Sequence, residues 1–290
     1  MPKMSTRRKL AIASWSAPQE GNIYGKLQLD AEEVVRFLEH VRATTGERVT
    51  LTHFVGRVVG EALAAAPGLN GHLFLGSFYP NPSVDIAYLV ALGDGEDLAK
   101  VKMSGIDRMS IPEIARELRA RAEKLRGGRD PEFEKSKGPL RLLPTWLIRP
   151  MVALTGWLTS SLGISMPAFG LEAFPFGSAV VTSVGMLGVD EGYVPPTPWA
   201  RVPLYVAVGA LRDLPAVVDG AVVPRKQVVI TATLDHRYVD GAQASKLAKV
   251  LRARFADPWP LLGEGVKLGA NRGGVPSSAT PPPVASSVSA

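Results

Sequence analysis

The chain has no cysteine among its 290 residues. This absence excludes a disulfide framework, a thiolate nucleophile and metal sites with cysteine ligands. It fits a reducing compartment, and we expect the protein in the cytoplasm. Residues 1–9 are basic and are not followed by an apolar core with a cleavage site, so no secretory signal is expected.

Acidic residues are fewer than basic ones. The chain has 33 Lys and Arg and 27 Asp and Glu, which gives a formal net charge of +6. A net positive field favours anionic ligands. The basic residues are dispersed, and neither a zinc-finger spacing nor an aromatic RNA-binding signature occurs, so we expect no nucleic-acid partner. A phosphate-rich cofactor explains the charge equally well.

Apolar periodicity predicts a mixture of helices and strands. Helical patterns cover residues 30–45, 50–66, 110–127 and 242–255, and strand patterns cover 83–92, 178–183, 202–211 and 227–234. Asp30 and Glu33 predict a capping box for the first helix, and Asp219-Gly220 between two valine pairs predicts a two-residue hairpin turn. The irregular order indicates an α/β, or layered α+β, domain and not a regularly alternating barrel.

Long hydrophobic runs are scarce, with one exception at about residues 140–171. No charged residue occurs between Pro150 and Leu171, but serine, threonine and glycine dilute the run, so a membrane-spanning helix is not expected. A buried helix, an oligomer contact or a lid over an apolar pocket is the preferred interpretation, and a contact with a membrane surface stays open. From residue 263 to 290 the composition of Gly, Pro, Ser and Ala predicts a flexible tail, which leaves residues 1–262 as the folded domain.

The string Leu-Asp-His-Arg-Tyr-Val-Asp-Gly at residues 234–241 joins the last strand pattern to the last helix pattern. It resembles the His-Arg-x-x-Asp-Gly signature of the dihydrolipoamide acyltransferase core of 2-oxo acid dehydrogenase complexes. Residues 182–190, Thr-Ser-Val-Gly-Met-Leu-Gly-Val-Asp, are similar to the Ser-Asn-Leu-Gly-Met-Phe-Gly stretch of that family. The resemblance implies a chloramphenicol acetyltransferase-like two-layer sandwich, in which helices flank a mixed β-sheet.

The resemblance also implies roles for single residues. His236 would be the general base that takes the proton from a thiol, because imidazole exchanges its proton near neutral pH. Thr182 falls where the family has the serine that donates to the oxyanion, and Ser183 is the alternative donor. Threonine keeps the hydroxyl, but its extra methyl restricts the rotamer. His40 and His53 lie within helix patterns and are interpreted as structural.

Two further residues of the signature have supporting roles in the family. Asp240 would be structural and bonded to an arginine, for which Arg7 or Arg8 is the candidate. Arg237 would contact the cofactor or, alternatively, brace the histidine loop. Ser183 would lie beside the same cofactor.

The cofactor and partners follow from the same resemblance. We expect coenzyme A or an acyl-CoA as substrate, a lipoyl group carried on a separate protein, and no metal. We expect a homotrimer with the active site between subunits, with a larger cage as a further form. The alternative is a catalytically inactive scaffold of the same fold, because Thr182 replaces the family serine and no lipoylation hairpin precedes the catalytic region.

Overall fold

The regular elements of the chain are nine strands and five longer helices in the part that the structure, a computed structural model, describes: residues 21–92, 97–127, 143–239 and 241–262. The strands are β1 (Asn22–Asp30), β2 (Gly71–Phe74), β3 (Ser77–Pro80), β4 (Ile86–Leu92), β5 (Asp97–Met103), β6 (Ala179–Ser183), β7 (Leu204–Val208), β8 (Arg212–Val218) and β9 (Ala221–Asp235). The helices are α1 (Glu32–Thr45), α2 (Leu51–Ala65), α3 (Ile111–Arg126), α4 (Thr145–Gly156) and α5 (Gly241–Ala256).

Seven strands form one mixed sheet in the order β1-β9-β7-β6-β4-β5, with β8 also paired to β9. The pairs β4–β6 and β6–β7 are parallel, and the other pairs of this sheet are antiparallel. β2 and β3 form a separate two-stranded hairpin. The 15-residue strand β9 is central, because its second half pairs with β1 on one side and with β7 on the other.

Four of the five helices cover one face of this sheet, whereas α4 packs with Trp199, which belongs to the apolar cluster of the other face. Buried side chains of α1, α2, α3 and α5, such as Phe37, Phe54, Ile114 and Phe255, share one core with Val181, the inward residue of β6. Neighbouring strand residues point to opposite faces, so Val180 and Tyr205 belong to a smaller apolar cluster on the other face. The two-layer sandwich with a mixed sheet and flanking helices is confirmed.

The predicted helix starts are partly correct. α2 begins after Thr50, which forms a capping box with His53, and α3 begins after Ser110, whose hydroxyl accepts from the backbone N–H of Glu113 at 3.4 Å. The predicted box at the start of α1 does not form, because the N-cap is Ala31 and not Asp30. Asp30 still accepts from the backbone N–H of Glu32 at 2.9 Å through Oδ1, and its Oδ2 pairs with Arg225 at 2.8 Å. Asp219 and Gly220 form the predicted hairpin turn, with φ of 50° and 81°.

The apolar segment folds as α4, a π-helical turn at Trp157–Ser161 and a short 3₁₀ turn at Pro167–Phe169. Ile148, Val152 and Gly156 form the buried side of α4, and Ile148 and Val152 pack with Trp199. In the described ranges, no helix combines the length and the apolarity needed to cross a bilayer. The predicted tail at 263–290 lies outside the described residues.

Candidate active site

The end of β9 places His236 at the edge of the sheet. β9 is rich in β-branched residues, which favour an extended strand, and it stops at Asp235. The backbone N–H of Asp235 donates to the carbonyl of Pro203 at 3.0 Å, and the N–H of His236 donates to the carbonyl of Gly21 at 3.1 Å. The chain is therefore held from two sides at the residue where it leaves the strand.

The imidazole of His236 has a fixed orientation. Its Nδ1 lies 2.6 Å from the carbonyl oxygen of Val239, three residues further along the turn. A carbonyl oxygen can only accept, so Nδ1 carries the hydrogen of the neutral ring and Nε2 keeps its lone pair. The residue is exposed in the single chain. The ring is therefore prepared to accept a proton at Nε2 from a group outside the chain's own core.

Asp235 and Arg237 stabilise the turn around His236. The backbone N–H and the Nε of Arg237 donate to Oδ1 of Asp235 at 2.9 and 3.0 Å, and Nη2 donates to Oδ2 at 2.5 Å. The side chain of Asp235 is 10% exposed and that of Arg237 is 52% exposed. The guanidinium of Arg237 is held by the nearly buried carboxylate of Asp235. This contact agrees with the alternative in which Arg237 braces the histidine loop. Cofactor binding by Arg237 stays a prediction.

Tyr238 ties the same turn to two distant segments, a role that the sequence analysis missed. Its hydroxyl accepts from the backbone N–H of Leu73 at 3.2 Å and donates to the carbonyl of Arg201 at 3.4 Å. Its ring meets Phe78 of the β2–β3 hairpin edge to face, with 6.4 Å between ring centres. Burial raises the pKa of Tyr238, so the hydroxyl stays a donor. An aromatic residue between the histidine and the aspartate of the signature was the available signal.

Arg201 links this turn to the apolar segment. Its Nη1 donates to the hydroxyl of Ser161 at 2.7 Å, and its carbonyl accepts from Tyr238. Its φ of 52° lies in the left-handed region, which is unfavourable for a residue with a side chain. The π-helical turn after α4 and the histidine turn are therefore held by one residue.

Thr182 and Ser183 lie at the carboxyl end of β6 and are half-buried. By the alternation of the strand, Thr182 shares a face with Val180, away from the main core, whereas Ser183 shares with Val181 the face that packs against the main helix layer. The turn that follows requires Gly185, because a Cβ there would lie 2.4 Å from the carbonyl oxygen of Gly209. The two candidate donors thus point to opposite sides of the sheet.

The sheet register separates Thr182 from His236 within one chain. Thr182 pairs with Ala207 of β7, and Ala207 pairs with Thr231 of β9. Because strands lie about 4.8 Å apart and rise about 3.3 Å per residue, two strand spacings and five residues place Thr182 and His236 on the order of 20 Å apart. One chain does not bring the predicted base and the predicted donor together.

The remaining predicted residues are not all within the described part of the chain. Asp240 and its candidate partners Arg7 and Arg8 lie outside the described residues. His53 accepts from the backbone N–H of Thr50 at 3.1 Å, and burial lowers its pKa to about 4. Within the described ranges no group of three His, Asp or Glu side chains is arranged to hold a metal ion.

The chain is similar to known acyltransferases. The family model of the 2-oxoacid dehydrogenases acyltransferase (catalytic domain) matches residues 5–137 and 171–263. The apolar segment falls in the gap between the two matched stretches. A curated relative, the dihydrolipoyllysine-residue acetyltransferase component of the acetoin cleaving system of Bacillus subtilis, is 27% identical over 225 residues, which are 75% of this chain and 44% of that protein. This chain thus spans less than half the length of that relative.

Two solved structures share the fold. A probable dihydrolipoamide acetyltransferase from Listeria monocytogenes aligns with a TM-score of 0.64 and 19% identity, over 93% of this chain and 97% of that one. The dihydrolipoamide acetyltransferase of Azotobacter vinelandii, studied for the catalytic roles of a serine, a histidine and an asparagine, aligns with a TM-score of 0.62 and 20% identity, over 88% of both chains.

Proposed function

The chain belongs to the 2-oxo acid dehydrogenase acyltransferase family, and on that premise we propose that it transfers an acyl group between coenzyme A and a thiol of the dihydrolipoyl type. The observation that carries the proposal is the orientation of His236, whose Nδ1–H is engaged by the carbonyl of Val239 while the residue is exposed. A base of this form needs neither a metal nor a covalent enzyme intermediate.

His236 acts first as base and then as acid. A thiol with a pKa of about 8.5 is mostly protonated at neutral pH, so its proton must be removed as the sulfur attacks. Nε2 takes this proton, and the new carbon–sulfur bond converts the thioester carbonyl into a tetrahedral oxyanion. When the oxyanion collapses, the bond to the departing sulfur breaks and that thiolate recovers the proton from Nε2.

Thr182 is proposed as the donor that stabilises the oxyanion. A single hydroxyl in this position contributes about 10²–10³ in rate. Thr182 lies on the face of the sheet that points away from the main core, whereas Ser183 lies on the face of the main core, and this difference favours Thr182. The extra methyl of threonine is the feature that motivates the alternative of an inactive scaffold.

The site is proposed to form between copies of the chain. Thr182 and His236 of one chain are too far apart to touch one carbonyl group, since the reacting atoms need contacts of about 3 Å. A cyclic trimer, in which His236 of one subunit meets Thr182 of the next, solves this geometry with identical contacts at each of its sites. A larger cage would be built from such trimers.

Arg237, Ser183 and Asp240 complete the proposal. The Azotobacter acetyltransferase was examined at an asparagine four residues after its histidine, and here that position is Asp240. We assign Asp240 to holding the histidine turn, and Arg237 and Ser183 to the surface that coenzyme A approaches. The lipoyl group is supplied by a separate protein or domain.

The test is acyl transfer by the full chain. Purified protein is given acetyl-CoA and dihydrolipoamide, and the thioester product is followed by its absorbance and by mass spectrometry. We expect turnover in the unmodified protein and a loss of about 10³-fold or more in His236→Gln, because the variant removes the proposed base. His40→Gln, which changes a histidine of the helix layer, is the matched control and should keep full activity.

Two results would reject the proposal. Full turnover in His236→Gln would remove this histidine from the chemistry. No binding of coenzyme A to the unmodified oligomer in calorimetry would favour the inactive scaffold instead.

A further inference from the structure

The outer side of α4 and the residue that follows it carry several exposed, large apolar side chains. Trp146 is 75% exposed, Leu154 is 57% exposed and Trp157 is 39% exposed, and Leu147 lies beside them. These residues recur at helical spacing and form a single stripe, which we call the α4 face. Ile164 and Phe169, in the chain that follows, are also exposed, at 43% and 64%. Large apolar side chains grouped in this way indicate a contact surface.

The inner side of α4 fixes the direction of this face. Ile148 and Val152 are buried against Trp199, and a Cβ at Gly156 would lie 2.5 Å from the carbonyl oxygen of Trp199. The π-helical turn that follows is held by the bond from Arg201 to Ser161. A rotation of α4 that buried the α4 face would break these contacts, so the face stays on the outside.

The one charged residue of α4 is basic. From residue 143 to residue 171 the sequence has no charge other than that of Arg149, which is exposed. The nearest following acidic residue, Glu172, is paired with Lys100 and with Lys102. The charge of the helix therefore complements an anionic surface.

We propose that the α4 face binds the surface of an anionic lipid bilayer, with the helix lying in the plane of the headgroups. Tryptophan at both ends of the stripe fits the interface, where an apolar ring and an N–H donor are both accommodated. Arg149 would lie among the phosphates, and Leu147 and Leu154 would enter the acyl boundary. A protein partner would instead call for a polar, hydrogen-bonding rim, and Arg149 is the one charged residue on the helix.

The experiment is co-sedimentation of the full chain with vesicles. Vesicles of phosphatidylcholine alone are compared with vesicles that contain roughly one-third phosphatidylglycerol, at low and at high salt. We expect about tenfold more protein in the pellet with the anionic vesicles, and a loss of this difference at high salt because surface charges are then screened.

Paired variants locate the contact. Trp146→Ser with Leu154→Ser should reduce the bound fraction about tenfold, and Arg149→Gln should reduce only the part that depends on anionic lipid. The matched control is Val217→Ser with Val222→Ser, which removes two apolar side chains, each 72% exposed, from the β8–β9 hairpin. The control should bind like the unmodified chain.

Three outcomes would overturn the inference. The unmodified chain fails to sediment with anionic vesicles, or the Trp146/Leu154 variant binds as well as the control. In the third outcome, light scattering shows that the Trp146/Leu154 variant has a smaller oligomer, which would make the α4 face a contact between copies. Thermal melting of each variant confirms that the fold is kept, and none of these measurements depends on acyl transfer.

Discussion

Thr182 and His236 lie at opposite ends of the same sheet, two strands apart, because β6 and β9 run in opposite directions. The carboxyl end of β6, which carries Thr182, is therefore level with the middle of β9, with β7 between them, while His236 follows the carboxyl end of β9. The proposed base and donor can act on one substrate only if they come from different chains.

Mixed oligomers test this relationship. His236→Gln and Thr182→Val are each expected to be nearly inactive alone. When both chains are co-expressed in equal amounts, about a quarter of the sites in a cyclic oligomer combine an intact histidine with an intact threonine, so about a quarter of the activity should return. Activity that stays at the level of the single variants after confirmed mixing would place base and donor in one chain.

Substitutions of Thr182 measure the contribution of its hydroxyl. Thr182→Val keeps the shape of the side chain but removes the donor, so kcat should fall about 10²–10³-fold with little change in KM for the acyl-CoA. Thr182→Ser should keep or raise kcat, since it restores a freer hydroxyl. If Ser183→Ala, and not Thr182→Val, lowers kcat, the donor is Ser183.

Tyr238→Phe should loosen the histidine turn without changing its chemistry. The variant leaves the backbone N–H of Leu73 and the carbonyl of Arg201 without the hydroxyl that joins them. We expect the free energy of unfolding to drop by about 1 kcal/mol and kcat to fall several-fold. Urea denaturation and steady-state kinetics provide the measurements, with Tyr193→Phe, a 40% exposed tyrosine, as control.

His53 should make the protein less stable in acid. Burial lowers its pKa from the ordinary 6.5 to about 4, so between these values the unfolded chain binds a proton that the folded chain does not. This contribution is complete above pH 6.5 and is lost as the pH falls toward 4. The free energy of unfolding should therefore be about 2 kcal/mol lower at pH 5 than at pH 7 through this residue.

His53→Gln isolates that effect. Glutamine offers an acceptor to the backbone N–H of Thr50 but does not titrate, so the variant should show a flatter dependence of urea unfolding on pH. An unchanged dependence would assign the acid sensitivity to other groups.

Gly177 and Gly188 form a matched pair for backbone strain, since both have left-handed φ, at 63° and 76°. A Cβ at Gly177 would lie 2.1 Å from the carbonyl oxygen of Asp85, whereas a Cβ at Gly188 meets nothing within 4 Å. Gly188→Ala should cost about 1 kcal/mol of stability from conformation alone. Gly177→Ala should cost at least 3 kcal/mol because it adds a steric clash. Equal thermal shifts for the two variants would contradict this reading.

The apolar periodicity of the sequence predicted the elements that have long, regular patterns. α2, α3, α5 and the Asp219-Gly220 hairpin all agree with their sequence signals, because capping residues and turn residues act locally. β1 was not predicted, since its short alternation ends at Asp30, which resembles a helix cap. Asp30 does accept from the backbone N–H of Glu32, but the helix begins one residue later than a box at Asp30 requires.

The site was predicted one residue at a time but not as an arrangement. The signature located His236, and strand alternation explains why Thr182 and Ser183 face different sides. The distance of about 20 Å between Thr182 and His236 depends on the order of the strands in the sheet, and no local sequence pattern encodes that order. The contacts of Tyr238 with Leu73 and Arg201 are likewise long-range, so no sequence window contains them.

Arg201 also constrains how the protein can be shortened. Its side chain donates to Ser161 and its carbonyl accepts from Tyr238, so we expect removal of the whole segment that the family model leaves unmatched to disturb the histidine turn. A deletion that ends before Trp157 should retain the bond from Arg201 to Ser161. A deletion that also removes Ser161 leaves the guanidinium of Arg201 without this acceptor, next to the histidine turn. We therefore expect the smallest active form of the protein to keep part of the stretch that the family model does not match.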